Sequence, residues 1–335
     1  MRRPGRLAIL TVLIAIPPAA ANAGEKVKLE GYAEWRQGEL LVVEGQRVHV
    51  SRQTRFKGKG RAQGFYSIPL GYEVEVEGER RADGVVEARK LEARPNGSAL
   101  FESDLRDAFD QTEASWRRRG RVFEVAGDGR PVVLGALEES GPEVRRVRRI
   151  TDRLIPPYAS PGDFRVYVVE NDEWNAMAAP NGSIYVYSGL LRDMDDDEVA
   201  IILGHELVHA THEHSRKQFK KQIWIQLAAL GALGLAEGAI DNDTHRAVVQ
   251  VLTMIGASAW SSGYGRDHED QADRVGLRYA NEGGFDVTKG PRLWNRFAQK
   301  YGSQSKALNF FFGNHSVARD RERNLSRELA LNYVH

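Results

Sequence analysis

The amino-acid sequence predicts an α+β protein in which a small all-β, barrel-like domain precedes a mainly helical domain holding a small sheet. Three observations predict this. Apolar and polar side chains alternate with a period of two over residues 25 to about 94, most plainly in Tyr72-Glu73-Val74-Glu75-Val76-Glu77. Further along, Val144, Val147, Ile150 and Leu154 recur at helical spacing. A length of 335 residues, 41% of them hydrophobic, suits one large domain or a medium domain with a small partner.

In chain order, the first element reads as an export signal. Arg2, Arg3 and Arg6 precede an apolar run over residues 7–16, followed by Pro17, Pro18 and Ala21-Asn22-Ala23. Cleavage after Ala23 is expected, which makes residues 1–23 a signal peptide. The run is about half of the roughly 20 residues a membrane-spanning helix needs, so an uncleaved anchor is the weaker alternative. Residues 24–97 are the small β-domain and its linker. Turn signals at Glu44-Gly45 and Asp83-Gly84 divide it into about four to six short strands joined by tight hairpins. No catalytic grouping stands in it, and it reads as an adaptor or shield. Arg94-Pro95-Asn96-Gly97-Ser98 has a linker's composition; after it the texture changes to helices, and residues 98–335 form the second domain. There the helix through Leu154 carries Arg145, Arg146, Arg148, Arg149 and Arg153 on faces expected to be solvated. Residues 164–170 and 183–187 are strand-like, Asp195 and Glu198 resemble a capping box opening a helix through His214, and another helix is expected over residues 265–281.

Composition removes several function classes. Forty-seven Lys and Arg balance 46 Asp and Glu without long single-sign blocks, which argues against a nucleic-acid binder. Loss of the signal peptide takes away three arginines and no acids, leaving a nearly neutral chain. The absence of cysteine excludes disulfides, thiol nucleophiles and cysteine-ligated metals. A metal would have to be held by His and carboxylates.

His205-Glu206-Leu207-Val208-His209 has the HExxH spacing. On a helix, residues four apart lie about 40° apart and one turn up, so both imidazoles converge on one ion while Glu206 projects beside it, in reach of a metal-activated water. A hydrolytic zinc site needs a third protein ligand, and Glu269 is the best candidate. Asp273, four residues later on the same face, can accept a hydrogen bond from a ligand histidine. Competitors for the third position are His245, His268 and His315; His268 lies about 100° around the helix from Glu269. His212 and His214 read as flanking polar residues.

These residues resemble the HtpX and CAAX-prenyl-protease type of zinc metallopeptidase, a gluzincin group whose third ligand is a glutamate. The resemblance covers residues 145–325. It rests on Asn175-Ala176-Met177-Ala178-Ala179-Pro180-Asn181-Gly182, Gly189-Leu190-Leu191, the HExxH segment, His214, the run from Glu269 to Asp273 and the run from His315 to Arg321. Val208 stands where the group usually has glycine, Ser316 where it has proline, and Asn181 where it has the first glycine after the proline. The resemblance implies that Asn175, Ala176, Met177 and Ala178 form an edge strand with which an extended substrate pairs. It also places His315 and Arg321 near the metal, with His315 either donating to the tetrahedral intermediate or capping the ion at rest, and Arg321 positioning the loop.

The expected function is that of an exported, periplasmic or secreted endopeptidase with one zinc per chain, acting on unfolded or misassembled envelope polypeptides. Its rivals are a largely latent protease working as a chaperone or assembly factor, and a binding module built on the β-domain. The apolar stretches within residues 223–259 are too short to span a bilayer. They read as a buried helical hairpin, with peripheral membrane contact as the alternative.

Overall fold

The computed structural model describes residues 24–95, 131–157, 159–179, 181–212, 266–301 and 318–333, with 110, 113–114, 117–118 and 120–125. The expected signal peptide, residues 223–259, Pro180, His214, His245 and His315 lie outside them.

The N-terminal sheet is built from β1 (Lys26–Gln37), β2 (Leu40–Val43), β3 (Gln46–His49), β4 (Arg55–Gly58), β5 (Glu73–Arg80) and β6 (Val86–Arg94), in the order β3-β2-β1-β5-β6-β4. Alternation dictates it: on β5, Val74 and Val76 are buried while the intervening glutamates reach outward. Glu44 and Gly45, both with positive φ (49° and 68°), form the two-residue turn between β2 and β3. β6 also pairs with β3 through Val48–Val86 and His49–Glu87, so the sheet curls into a barrel-like shape along a two-pair seam. Leu41, Val48, Val76, Val86 and Leu91 fill its centre.

Helical residues Asp110, Glu113 and Ala114 follow the linker, as expected, but three strands that the sequence did not show come next. β7 (Arg117–Arg118), β8 (Arg121–Val125) and β9 (Pro131–Glu138) join β10 (Arg165–Glu170), β11 (Ala176–Ala178) and β12 (Ser183–Tyr187) in a second sheet of order β11-β12-β10-β9-β8-β7. β9 is held by antiparallel pairing to β10, some 30 residues away in sequence. That long-range pairing, rather than strong local alternation, makes it a strand. β10 and β12 run parallel.

Six helices follow β9 among the described residues: α1 (Pro142–Leu154), α2 (Ser188–Asp193), α3 (Asp196–Thr211), α4 (Arg266–Glu282), α5 (Gly290–Tyr301) and α6 (Ala318–Asn332). Val144, Val147, Ile150 and Leu154 of α1 enter the core with Ile184, Val199, Ile202, Val275 and Phe297. Its arginines are more than a solvated face. Arg146 donates to the carbonyls of Leu191 and Met194 at 2.6 and 2.8 Å, Arg148 to that of Phe164 at 2.7 Å and Arg153 to that of Gly283 at 2.5 Å. The forked guanidinium suits this use, since it reaches several loop carbonyls from an amphipathic stem. No helix among the described residues is long and apolar enough to cross a membrane.

Candidate functional site

The expected capping box starts α3. The Asp195 carboxylate accepts from the backbone N–H groups of Asp197 and Glu198 at 3.1 and 3.0 Å, and Glu198 reaches back to the Asp195 N–H at 3.3 Å. Lys289 bridges Asp195 and Asp197 at 2.8 and 2.6 Å, and Arg296 pairs with Glu198. From this start α3 runs buried through Glu198–Thr211. It ends at Thr211 rather than His214, with His212 as C-cap.

His205 and His209 lie one turn apart on α3, and Glu269 comes from the first turns of α4. Their donor atoms lie within 4.8 Å of one another, and all three residues are buried. The Nε2 atoms of the histidines are 3.1 Å apart, and each is 3.5 Å from a different oxygen of Glu269. A tetrahedral ion with ligands at about 2.0–2.1 Å needs donors roughly 3.3–3.4 Å apart. The three separations bracket that value, and two imidazoles with one carboxylate are a donor set for a borderline ion such as zinc. The residues present therefore fit a metal.

Behind these donors stands a buried support. His205 Nδ1 is 2.9 Å from Asp273 Oδ1, which leaves Nε2 directed at Glu269 and His209. Arg321 holds Asp273 with Nε and Nη2 at 3.1 and 2.5 Å, and its guanidinium lies 3.6 Å over the ring of Trp294. Burial would push Asp273 up, but Arg321 and His205 overcome it and hold its pKa below the usual carboxylate value. For His205, burial and Arg321 favour the neutral ring, while Asp273 and Glu269 outweigh them and raise its pKa. Arg321 Nη2 also lies 2.7 Å from His205 Nδ1 and 3.2 Å from its Nε2, so the arginine touches the histidine directly as well as through Asp273. Its anchor is the Asp273 carboxylate.

Glu206 projects to the other side of the pair. Its Oε2 accepts the backbone N–H of Ala178 at 3.2 Å, tying the carboxylate to β11. β11 pairs with β12 from Ala176 to Ala178 and is the edge of its sheet among the described residues. Asn175, Ala176 and Ala178 are buried, and Met177 is half-buried.

Sequence reasoning missed three features. Trp294 supports Arg321 from α5, where it packs in line with Phe297 and Tyr301, a spacing that marks a core face and no more. Gly204 and Gly276 let α3 and α4 cross closely, since a Cβ on Gly204 would lie 2.5 Å from the Gly276 carbonyl oxygen. His212, read as a flanking polar residue, is buried with its ring edge-on to Tyr32 at 4.4 Å. The aromatic cover comes from the β-domain, which local pattern could not place there.

Two crossing helices that gather His, His and Glu beside a second glutamate, itself bonded to a sheet edge, define a metallopeptidase domain. The chain belongs to peptidase family M48, whose family model matches residues 142–329. Residues 30–92 match a domain of unknown function (DUF5666). The chain is 30% identical over 148 residues to the beta-barrel assembly-enhancing protease of Yersinia pestis, covering 44% of this chain and 30% of that protein. It is 26% identical over 167 residues to the mitochondrial metalloendopeptidase OMA1 of Bos taurus, covering 48% and 32%. With the metalloprotease YcaL of Escherichia coli (strain K12) it shares 27% identity over 171 residues, covering 51% and 63%. The chain spans about a third of the length of the first two relatives and under two thirds of the third.

Proposed function

We propose that the protein is an exported zinc-dependent endopeptidase that cleaves unfolded or misassembled envelope polypeptides. One observation carries the reading: Glu206 lies beside the His205, His209 and Glu269 group and is hydrogen-bonded to edge strand β11. His205, His209 and Glu269 would hold the ion, with Asp273 fixing the tautomer of His205. When bound, zinc supplies Lewis acidity, making water more acidic and polarising a peptide carbonyl. Glu206 supplies the base: it takes the proton from the attacking water and returns it to the leaving amine. An extended substrate adds to the outer edge of β11 through backbone hydrogen bonds, which selects unfolded chains over folded ones. In this reading His315 donates to the tetrahedral intermediate or caps the ion at rest, and Arg321 positions Asp273 and His205.

The motifs over residues 175–182 and 189–191 support placing the chain near the HtpX and CAAX-prenyl-protease type within the family. The name of the Yersinia pestis relative joins assembly to proteolysis, which supports a second reading of a largely latent protease that assists envelope assembly. Casein digestion by the full chain, with Glu206→Gln as control, separates the two. Chelator-sensitive cleavage lost in the variant supports the endopeptidase. Absence of cleavage by zinc-loaded wild type, with suppression of aggregation retained in Glu206→Gln, supports the assembly factor.

A further inference from the structure

Helix α4 presents two working stripes. Glu269 and Asp273 face the histidines of α3, whereas Gln271, Arg274 and Arg278 recur at three and four residues on another side and meet the β-domain. The β-domain answers with Glu34. The register of β1 against β2 breaks between Ala33 and Trp35, so Glu34 is the extra residue of a β-bulge, a device that re-aims a side chain.

Glu34 is only 2% exposed. Arg274 grips it bidentately, Nε to Oε2 at 3.1 Å and Nη2 to Oε1 at 3.0 Å, and the Gly45 N–H donates to Oε2 at 3.0 Å. Gln271 donates to Glu44 at 2.6 Å and to Glu34 at 3.4 Å. Gly45 suits the turn through its φ of 68°, and a Cβ there would press to 3.0 Å from the Arg274 guanidinium carbon. The same domain reaches the two other helices of the metal group. Tyr32 covers His212 at the end of α3, and Arg47 donates at 2.7 Å to the Leu331 carbonyl on α6, the helix that carries Arg321.

Geometry makes this contact consequential. Side-chain groups lie about 5–6 Å from a helix axis, so a rotation of α4 by roughly 10° would move the Glu269 carboxylate by about 1 Å. Metal–ligand distances tolerate only about 0.2 Å. A planar, bidentate guanidinium–carboxylate pair fixes orientation as well as distance, which a point charge would not.

We propose that Glu34 and Arg274 are positioning residues that set the rotation of α4, and with it the approach of Glu269 and Asp273 to the histidines, making the β-domain a working part of the metal centre. This rests on the zinc reading given above. The test uses the full chain with Glu34→Gln, Arg274→Met, Arg274→Lys and the double change Glu34→Met with Arg274→Met. Zinc affinity by chelator competition, the visible spectrum after cobalt substitution, and the urea midpoint are measured together. Each single change is expected to weaken zinc binding about 10-fold, as losing an orienting partner commonly does, and to alter the cobalt spectrum. Arg274→Lys does not restore either, since lysine cannot make the forked contact. The double variant shows the same loss without adding to it, while its urea midpoint stays near wild type, because apolar replacement of a buried ion pair is often neutral in stability. Turnover falls with little change in KM.

Wild-type zinc affinity and cobalt spectrum in the folded double variant would overturn the proposal. Should Arg274→Met not fold, the near-isosteric Glu34→Gln carries the same comparison. A wild-type chain that takes up neither zinc nor cobalt would instead defeat the metallopeptidase reading itself.

Discussion

Glu206 and Asp273 are both carboxylates next to the metal group, yet their surroundings assign them different losses. Glu206 is not one of the three grouped donors, and its bond to the Ala178 N–H survives substitution by an amide oxygen. Glu206→Gln is therefore expected to lower turnover by about 100-fold or more while zinc stays bound, measured by peptide hydrolysis beside metal content. Cleavage retained in that variant would remove it from the base role. Asp273 is bound on two sides. From the sequence alone, Asp273→Ala weakens zinc retention and leaves the fold intact; the structure revises the second half, because alanine would strand the buried Arg321. Uncompensated burial of a charge costs on the order of 3–5 kcal/mol. Asp273→Asn keeps an acceptor for Arg321, so it should weaken zinc binding by about 10-fold to 100-fold with a smaller stability loss, and chelator titration beside urea unfolding checks both. The grouping of His205, His209, Glu269 and Asp273 was legible because a four-residue spacing has one geometric meaning on a helix. Trp294 and Glu34 were not legible, since each acts on a partner far away in sequence.

At the scale of elements, α3 depends on how it starts and what it crosses. Its capping box was readable from Asp195 and Glu198, but Lys289, which ties Asp195 to Asp197, comes from a distant turn. Asp195→Ala should cost about 1 kcal/mol, the usual worth of such a cap. The effect has a sign in pH. Burial raises the pKa of Asp195, yet Lys289 and the Glu198 and Asp197 N–H groups outweigh it and leave the value lowered; Asp197 is lowered first by Lys289. A depressed carboxylate contributes fully above its unfolded pKa of about 3.9 and loses the contribution as pH falls through the folded value. The stability gap between wild type and Asp195→Ala should therefore be full at pH 6 and narrow as pH falls through the lowered folded-state value, followed by urea unfolding. A gap independent of pH would reject the cap. The crossing with α4 gives the opposite of what propensity suggests. Glycine to alanine in a helix normally gains about 0.5–1 kcal/mol. Here a Cβ on Gly276 would sit 2.5 Å from the His205 backbone nitrogen, and both atoms belong to packed helices. Overpacking of that kind costs about 1–3 kcal/mol, so Gly276→Ala should destabilise the chain and weaken zinc binding, read by urea midpoint and chelator competition.

For the whole molecule, what matters is whether its two sheets and the helices unfold as one body. The β-domain looked from the sequence like an adaptor with no chemistry, and its strands were legible because their apolar positions repeat every second residue. Its seat could not be read, because Glu34 in a bulge and Arg274 in a helix carry no local signal of their pairing. The contacts of Glu34 with Arg274, Tyr32 with His212 and Arg47 with Leu331 reach α4, α3 and α6 separately. Sliding the β-domain away would break all three contacts at once, so opening of either part alone loses packing that both parts share. Metal binding to His205, His209 and Glu269 should then stabilise the β-domain as well as the peptidase domain. With zinc at about a thousandfold excess over its dissociation constant, linkage adds roughly 4 kcal/mol. At about 2–4 °C per kcal/mol for a domain of the peptidase's size, removal of the ion should lower the melting temperature by on the order of 10 °C. Scanning calorimetry of the full chain with zinc and with chelator should show one transition that moves as a unit. Two transitions, of which only the hotter or the cooler responds to chelator, would mean that the β-domain melts independently and that its contacts with the three helices are too weak to couple it to the metal.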